Sequence, residues 1–172
     1  MEEVLKNIVN ETYAKDISKK VFSAHLARIK QGDFICGYAH YGYKVSKDEK
    51  GIRSLFIDEK SAQIVRGMFE SYLKGLSTLD IAKELSNKRI RIATEYYRKQ
   101  GSIIAGDEEI IKVWQPATVL QILKNRTYTA ILIQGKRQNR LYEGKELHFA
   151  DEQEWTITEN AHQAIVSEET FV

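Results

Sequence analysis

Cysteine is almost missing from this 172-residue chain, and so are proline and histidine clusters. The lone Cys36 excludes an internal disulfide. His25, His40, His148 and His162 are too dispersed to propose a metal cluster, so neither a metal nor any other cofactor is expected. No apolar run approaches the roughly 20 residues that cross a bilayer. The start, Met1-Glu2-Glu3-Val4-Leu5-Lys6, lacks the apolar core of a signal peptide. These absences predict a soluble, cytoplasmic protein with no membrane partner. Charge of one sign is not in large excess either, at a net +2. What is present, 42% hydrophobic and 29% charged residues, is ordinary for one globular domain, or one domain with an appended element.

The basic residues are nevertheless grouped. Lys15, Lys19, Lys20, Arg28 and Lys30 face only Asp16 in their stretch. Lys83, Lys88, Arg89, Arg91, Arg98 and Lys99 form a second group, against Glu84 and Glu95. Lys124, Arg126, Lys136, Arg137, Arg140 and Lys145 form a third, with Glu143 among them. Each group alone reads as a solvated face, but three of them around one candidate reading helix point to a polyanion partner.

That helix belongs to the stretch from residue 77 to residue 128. Ser77 with Asp80 three residues on starts a short helix whose Ile81, Ala82 and Leu85 share a face. Pro116, the single proline, suits the first position of a second helix with Val119, Ile122 and Leu123 as its buried stripe. Gln115, Ala117, Thr118 and Gln121 then face outward, beside Lys124 and Arg126. Small and amide side chains next to cations suit a helix that reads base edges while its end holds phosphate. Two ordinary amphipathic helices would give the same periodicity, and residues 87–113 intervene where a helix-turn-helix has only a short turn.

Taken in order, residues 2–31 lack both glycine and proline. They carry Leu5, Val9, Tyr13, Ile17, Val21 and Ala24 at near-helical spacing before Gly32, which predicts a helix of roughly 45 Å that protrudes in part or pairs with another chain. Residues 32–44, with Gly32, Gly37 and Gly42 among Tyr38, Tyr41 and Tyr43, cannot continue it. They read either as a turn with aromatic packing or as an extended segment close to a partner. Residues 45–57 read as a hairpin turning at 47–51. Asp58 caps a helix to Lys74, closed by Gly75, with Ile64, Val65, Met68, Phe69, Tyr72 and Leu73 as its apolar face. Residues 89–97 admit strand or helix, and 100–109 are a polar loop. Residues 129–133 read as a strand, 135–145 as a basic excursion and 146–157 as one or two return strands. Ser167 starts a helix where the chain stops, so the terminus looks cut. The fold expected is α+β, predominantly helical, with a long first helix, small hairpins and a helix-turn-helix-like core.

The order of these signals resembles one family. Tyr13-Ala14-Lys15-Asp16-Ile17-Ser18-Lys19-Lys20-Val21 leads to Gly32-Asp33-Phe34-Ile35-Cys36-Gly37 and Tyr41-Gly42-Tyr43-Lys44. Ala62-Gln63-Ile64-Val65-Arg66, Gly75-Leu76-Ser77 and Ile81-Ala82 follow. Val119-Leu120-Gln121-Ile122-Leu123-Lys124-Asn125 with Tyr128, and His162-Gln163-Ala164-Ile165-Val166-Ser167, complete the set. Over nearly its whole length the chain resembles the recombinase DNA-binding domain of the large serine recombinases, relatives of resolvases and invertases. It departs from the usual pattern at Ala39-His40, where a proline pair is common, and at Thr127 and Ala130, where proline and glycine are usual.

The resemblance implies a non-catalytic fragment. Residues 1–31 would be the tail of a helix from a catalytic domain, and 32–172 the DNA-binding domain. Ser18, Ser23 and Ser77 would be surface or capping residues. The partner would be a duplex attachment half-site, joined in the full protein by other recombinase protomers. Gln115, Ala117, Thr118 and Gln121 would read bases, and Lys124, Arg126, Lys136, Arg137, Arg140, Arg89, Arg91 and Lys44 would hold the backbone. Phe34, Gly37, Tyr38, Tyr41, Gly42 and Tyr43 would follow the minor groove, by analogy with the arms of resolvase and invertase domains. A winged-helix regulator and a coiled-coil interaction module are the rival readings.

Overall fold

The computed structural model describes residues 2–99, 113–140, 143 and 145–171. The polar stretch expected at 100–109 therefore lies outside the described residues. Along the described chain run α1 (Glu2–Lys30), β1 (Tyr43–Lys47), β2 (Arg53–Ile57), α2 (Glu59–Leu73), α3 (Thr78–Asn87), α4 (Ala93–Lys99), α5 (Pro116–Leu123), β3 (Leu132–Gln134), β4 (Arg137–Arg140), β5 (Lys145–Phe149) and β6 (Thr156–Thr158). The fold is α+β and predominantly helical. Its strands pair two by two, as β1–β2, β3–β6 and β4–β5. No described helix is long and apolar enough to cross a membrane.

The chain divides into two compact units, residues 1–35 with 133–158, and residues 36–132 with 159–172. In the first, α1 stops at Gly32, whose φ of +88° allows its amide to reach the Ile29 carbonyl while Asp33 reaches back to Arg28. Every side chain from residue 6 to residue 17 is exposed; burial begins with Ser18 and Phe22 and is complete only at Ile29. Phe34 is buried a few residues further on. Gln134 is buried as well, and its cost of burial is met on both ends of the amide. Its Nε2 donates to the Asp33 carbonyl (2.8 Å) and its Oε1 accepts from the Ile35 amide (3.0 Å).

In the second unit, β1 and β2 form the expected hairpin, with Tyr43 opposite Ile57 and Lys47 opposite Arg53. Asp48 Oδ1 organises its turn by accepting from the amides of Lys50 and Ile52. Helices α2, α3 and α5 pack on one another. The face of α2 buries Ser61, Ala62, Val65, Met68 and Phe69; Leu73, expected on that face, is instead exposed at the last turn. Ser77 caps α3 as its sequence predicts: its Oγ accepts from the Asp80 amide (3.2 Å) and donates to Asp80 Oδ2 (2.6 Å). The ambiguous 89–97 stretch turns helical at Ala93.

The strand expected at 129–133 starts later. Residues Arg126–Thr129 wind into a 3-10 turn, with Asn125 Oδ1 accepting from the Thr127 amide, and Ala130 takes a left-handed φ of +68° before β3 begins at Leu132. The buried Tyr128 explains the turn. Its hydroxyl donates to the Tyr41 carbonyl (2.9 Å), and its own carbonyl accepts from the amides of Ile165 and Val166. At the end of the chain Glu168–Thr170 forms only a short 3-10 turn after Ser167.

Candidate nucleic-acid interface

Helix α5 is built so that three side chains fix it and the others are left for a partner. Val119, Ile122 and Leu123 are buried, while Gln115, Ala117 and Gln121 are exposed and Thr118 is half-exposed. Pro116 needs no intrahelical donor at the first position, and Gln115 serves as cap through its carbonyl, which accepts from the Thr118 and Val119 amides. Its side-chain amide takes no part in the cap. Leu120, 39% exposed, shares the outward face, a position that periodicity alone assigns to neither side.

Beside this face lies a cleft of about 570 Å³, lined by Tyr38, His40, Ala93, Thr118, Gln121 and Asn125 among others. Asn125 joins its walls. Because Oδ1 is taken by the Thr127 amide, Nδ2 is the end directed at His40 Nδ1, 3.3 Å away, which makes that ring nitrogen the acceptor. The Asn-x-Thr spacing is a capping signal visible in sequence; its cross-chain partner is not.

The cations expected on the backbone fall in both units. Lys124 follows α5 directly and Arg126 opens the 3-10 turn, both exposed. Lys44 is exposed on β1 and Arg91 ahead of α4. Arg89 is exposed and sits at φ +52° just past α3, where its amide reaches the Ser86 carbonyl and Ile90 reaches Leu85. In the first unit, Lys136 and Arg137 are exposed, with Lys136 Nζ 4.8 Å from the Trp155 ring centroid and Arg137 Cζ 4.9 Å from that of Phe149. Arg140 ends β4 in register with Lys145.

The aromatic segment from residue 34 to residue 43 is corrected by its burial. Phe34, Tyr41 and Tyr43 are 1%, 4% and 0% exposed, so their rings are core and are not offered to a groove. Tyr43 stacks on Tyr128 at 6.0 Å and meets His162 edge-on, and its hydroxyl donates to the Gln163 carbonyl at 2.9 Å. Tyr41 packs edge-on against Tyr96 and Trp114 and donates to the Arg91 carbonyl. Burial, first among the causes, holds both phenols well above the usual tyrosine range, so they stay neutral. Gly42 is equally internal: a Cβ there would stand 2.7 Å from Ile165 Cδ1, and its φ is +97°. Of the six residues expected along the groove, Gly37 and Tyr38 are the exposed ones, with Tyr38 62% exposed.

Among the described residues no group of three or more histidine, cysteine or acidic side chains could hold a metal ion. Ser77 is engaged as a helix cap, and Ser18 and Ser23 lie on α1. Tyr96 donates to Asp58 Oδ2, and Ser61 Oγ lies 3.1 Å from the same oxygen, which makes Asp58 a structural acceptor beneath α2.

Two comparisons bear on this arrangement. A solved structure from work on the sequence requirements of the Listeria innocua prophage attP site shares the fold, with a TM-score of 0.50 and 18% identity. The match covers 88% of this chain and 48% of that one, so the present chain spans about half the length of that relative. The model of the family described as Recombinase matches residues 59–172, from the start of α2 to the end of the chain. On a match that takes in α2, α3, α5 and the returning C-terminal segment, the chain belongs to the Recombinase family.

Proposed function

We propose that this chain is a DNA-binding portion of a site-specific serine recombinase, and that it binds one duplex half-site without cutting it. The observation that carries the reading is α5. An eight-residue helix, about 12 Å long, has its buried stripe satisfied by the core, while the side chains of its outward Gln115, Thr118 and Gln121 make no hydrogen bond among the described residues. A major groove about 12 Å wide accepts such a helix, in which Gln can pair bidentately with adenine and Thr can bond a base or pack on a thymine methyl. Helices α3 and α5 then play the parts of a helix-turn-helix with a long insertion between them. Lys124 and Arg126 lie where the helix leaves the groove, and Lys44, Arg89 and Arg91 add phosphate contacts within the same unit. Exposed Tyr38 and Gly37 supply what remains of a minor-groove segment.

The domain assignment forms part of the same reading: residues 1–31 connect to a catalytic domain, and residues 32–172 hold the site. Strand exchange would belong to the full protein and its other protomers, in the cytoplasm. The engagement of Ser77 as a cap supports a binding role in preference to a nucleophilic one.

A duplex-binding assay across salt concentrations tests the reading. Affinity should fall with salt, and Arg126→Ala should lower it on every sequence while reducing the log–log salt slope by about one unit. Binding that does not respond to salt, or that is absent, would contradict it.

A further inference from the structure

Lys136 and Arg137 are both exposed where β3 passes into β4. The Ala150 amide donates to the Lys136 carbonyl (3.0 Å), so the backbone that leads on to Trp155 runs beside this pair of cations. None of the ion pairs among the described residues includes Lys136 or Arg137. Both cations lie over aromatic rings instead, Lys136 on Trp155 and Arg137 on Phe149. Arg137 and Phe149 are direct partners in the antiparallel register of β4 and β5, so the strand pairing itself sets the stack. Phe149 is 71% exposed, too open for its ring to serve as core.

The chemistry of such a stack favours an anion from outside. A ring beneath a guanidinium covers one face and leaves the N–H groups at its edge, the geometry that meets a phosphate with two parallel hydrogen bonds. Holding the side chain on a ring also removes rotamer freedom before binding, which lowers the entropic cost of the contact.

We infer that Phe149 and Trp155 are positioning residues that hold Arg137 and Lys136 ready for the phosphodiesters of duplex DNA. The inference rests on the DNA-binding reading above and adds to it the means by which this hairpin keeps its donors available. Trp155 also donates its Nε1–H to the Ala150 carbonyl (3.0 Å), a structural bond, so Phe149 is the cleaner probe.

The test is a double-mutant cycle on the full chain, with a random-sequence duplex titrated at several salt concentrations. Arg137→Ala should weaken binding and lower the salt slope by about one unit. Phe149→Ala should weaken it by about threefold, the scale of an exposed cation–π pair. In the Phe149→Ala background, Arg137→Ala should cost clearly less than in the wild type, and Phe149→Trp should restore both affinity and slope. Thermal melts should barely move. Equal Arg137→Ala losses in both backgrounds, or no restoration by Trp, would overturn the positioning role. A wild type that binds but is indifferent to Arg137→Ala overturns this inference alone. A wild type with no salt-dependent duplex binding overturns the parent reading as well.

Discussion

Ala130 holds a left-handed backbone at φ +68° and is almost fully buried, so its methyl group is strained with no room to relax. Glycine takes this conformation without the Cβ clash. Ala130→Gly should therefore raise the unfolding free energy by about 0.5–1 kcal/mol, after the extra chain entropy of glycine is counted, and a urea midpoint measures it. His162 makes the opposite kind of contribution. Its Nε2 donates to the Thr127 carbonyl (2.7 Å), while Nδ1 is buried without a hydrogen-bond partner. Burial holds the ring below the usual histidine range, partly offset by that carbonyl. The folded ring is thus neutral where the unfolded one takes a proton near 6.5. The stability it contributes is present above that pH and is lost as pH falls through the lower folded value. The gap in Tm between wild type and His162→Gln should narrow between pH 7 and pH 5; a gap that stays constant would show that the buried ring does not couple to protons.

Elements whose order depends on nearby residues are legible in the sequence itself. The Ser77 cap, the stripe of α5, the hairpin turn at Asp48 and the length of α1 all follow from spacings of two to four residues, and each appears where the sequence places it. Choices made at long range are not legible in this way. Tyr41 and Tyr43 look like surface aromatics among glycines, but Tyr43 is claimed by Gln163 and His162, and Tyr41 by Trp114 and the Tyr128 hydroxyl. The delayed start of β3 has the same origin, since the 3-10 turn exists to present Tyr128 to the returning C-terminal segment. The ring under Arg137 depends on the register of β4 with β5. Helix α1 carries a prediction of its own. Val4, Ile8, Val9, Tyr13 and Ile17 are 43–68% exposed, and the exposed Lys15–Glu11 pair adds little, so nothing described holds the first turns. Amide hydrogen exchange should be fast over residues 2–11 and slower around Phe22 to Ile29, and uniform protection in a monomer would contradict this.

Across the molecule, the Recombinase match covers the helices and the closing segment that support α5, so one packing scheme links the core of the second unit to the face proposed to read DNA. Phe69 and Tyr43 hold Tyr128, Tyr128 holds the C-terminal segment, and the buried stripe of α5 rests on the same core, with Gln121 left outside it. Folding and specificity are therefore separable by substitution on a single helix. Binding-site selection from random duplexes, run on wild type and Gln121→Ala with thermal melts alongside, tests that claim most directly. The wild type should select a defined site. Gln121→Ala should keep its melting temperature and its non-specific binding but lose preference at about one or two base pairs, by roughly 1–3 kcal/mol. An unchanged site preference in Gln121→Ala would show that α5 is not the reader.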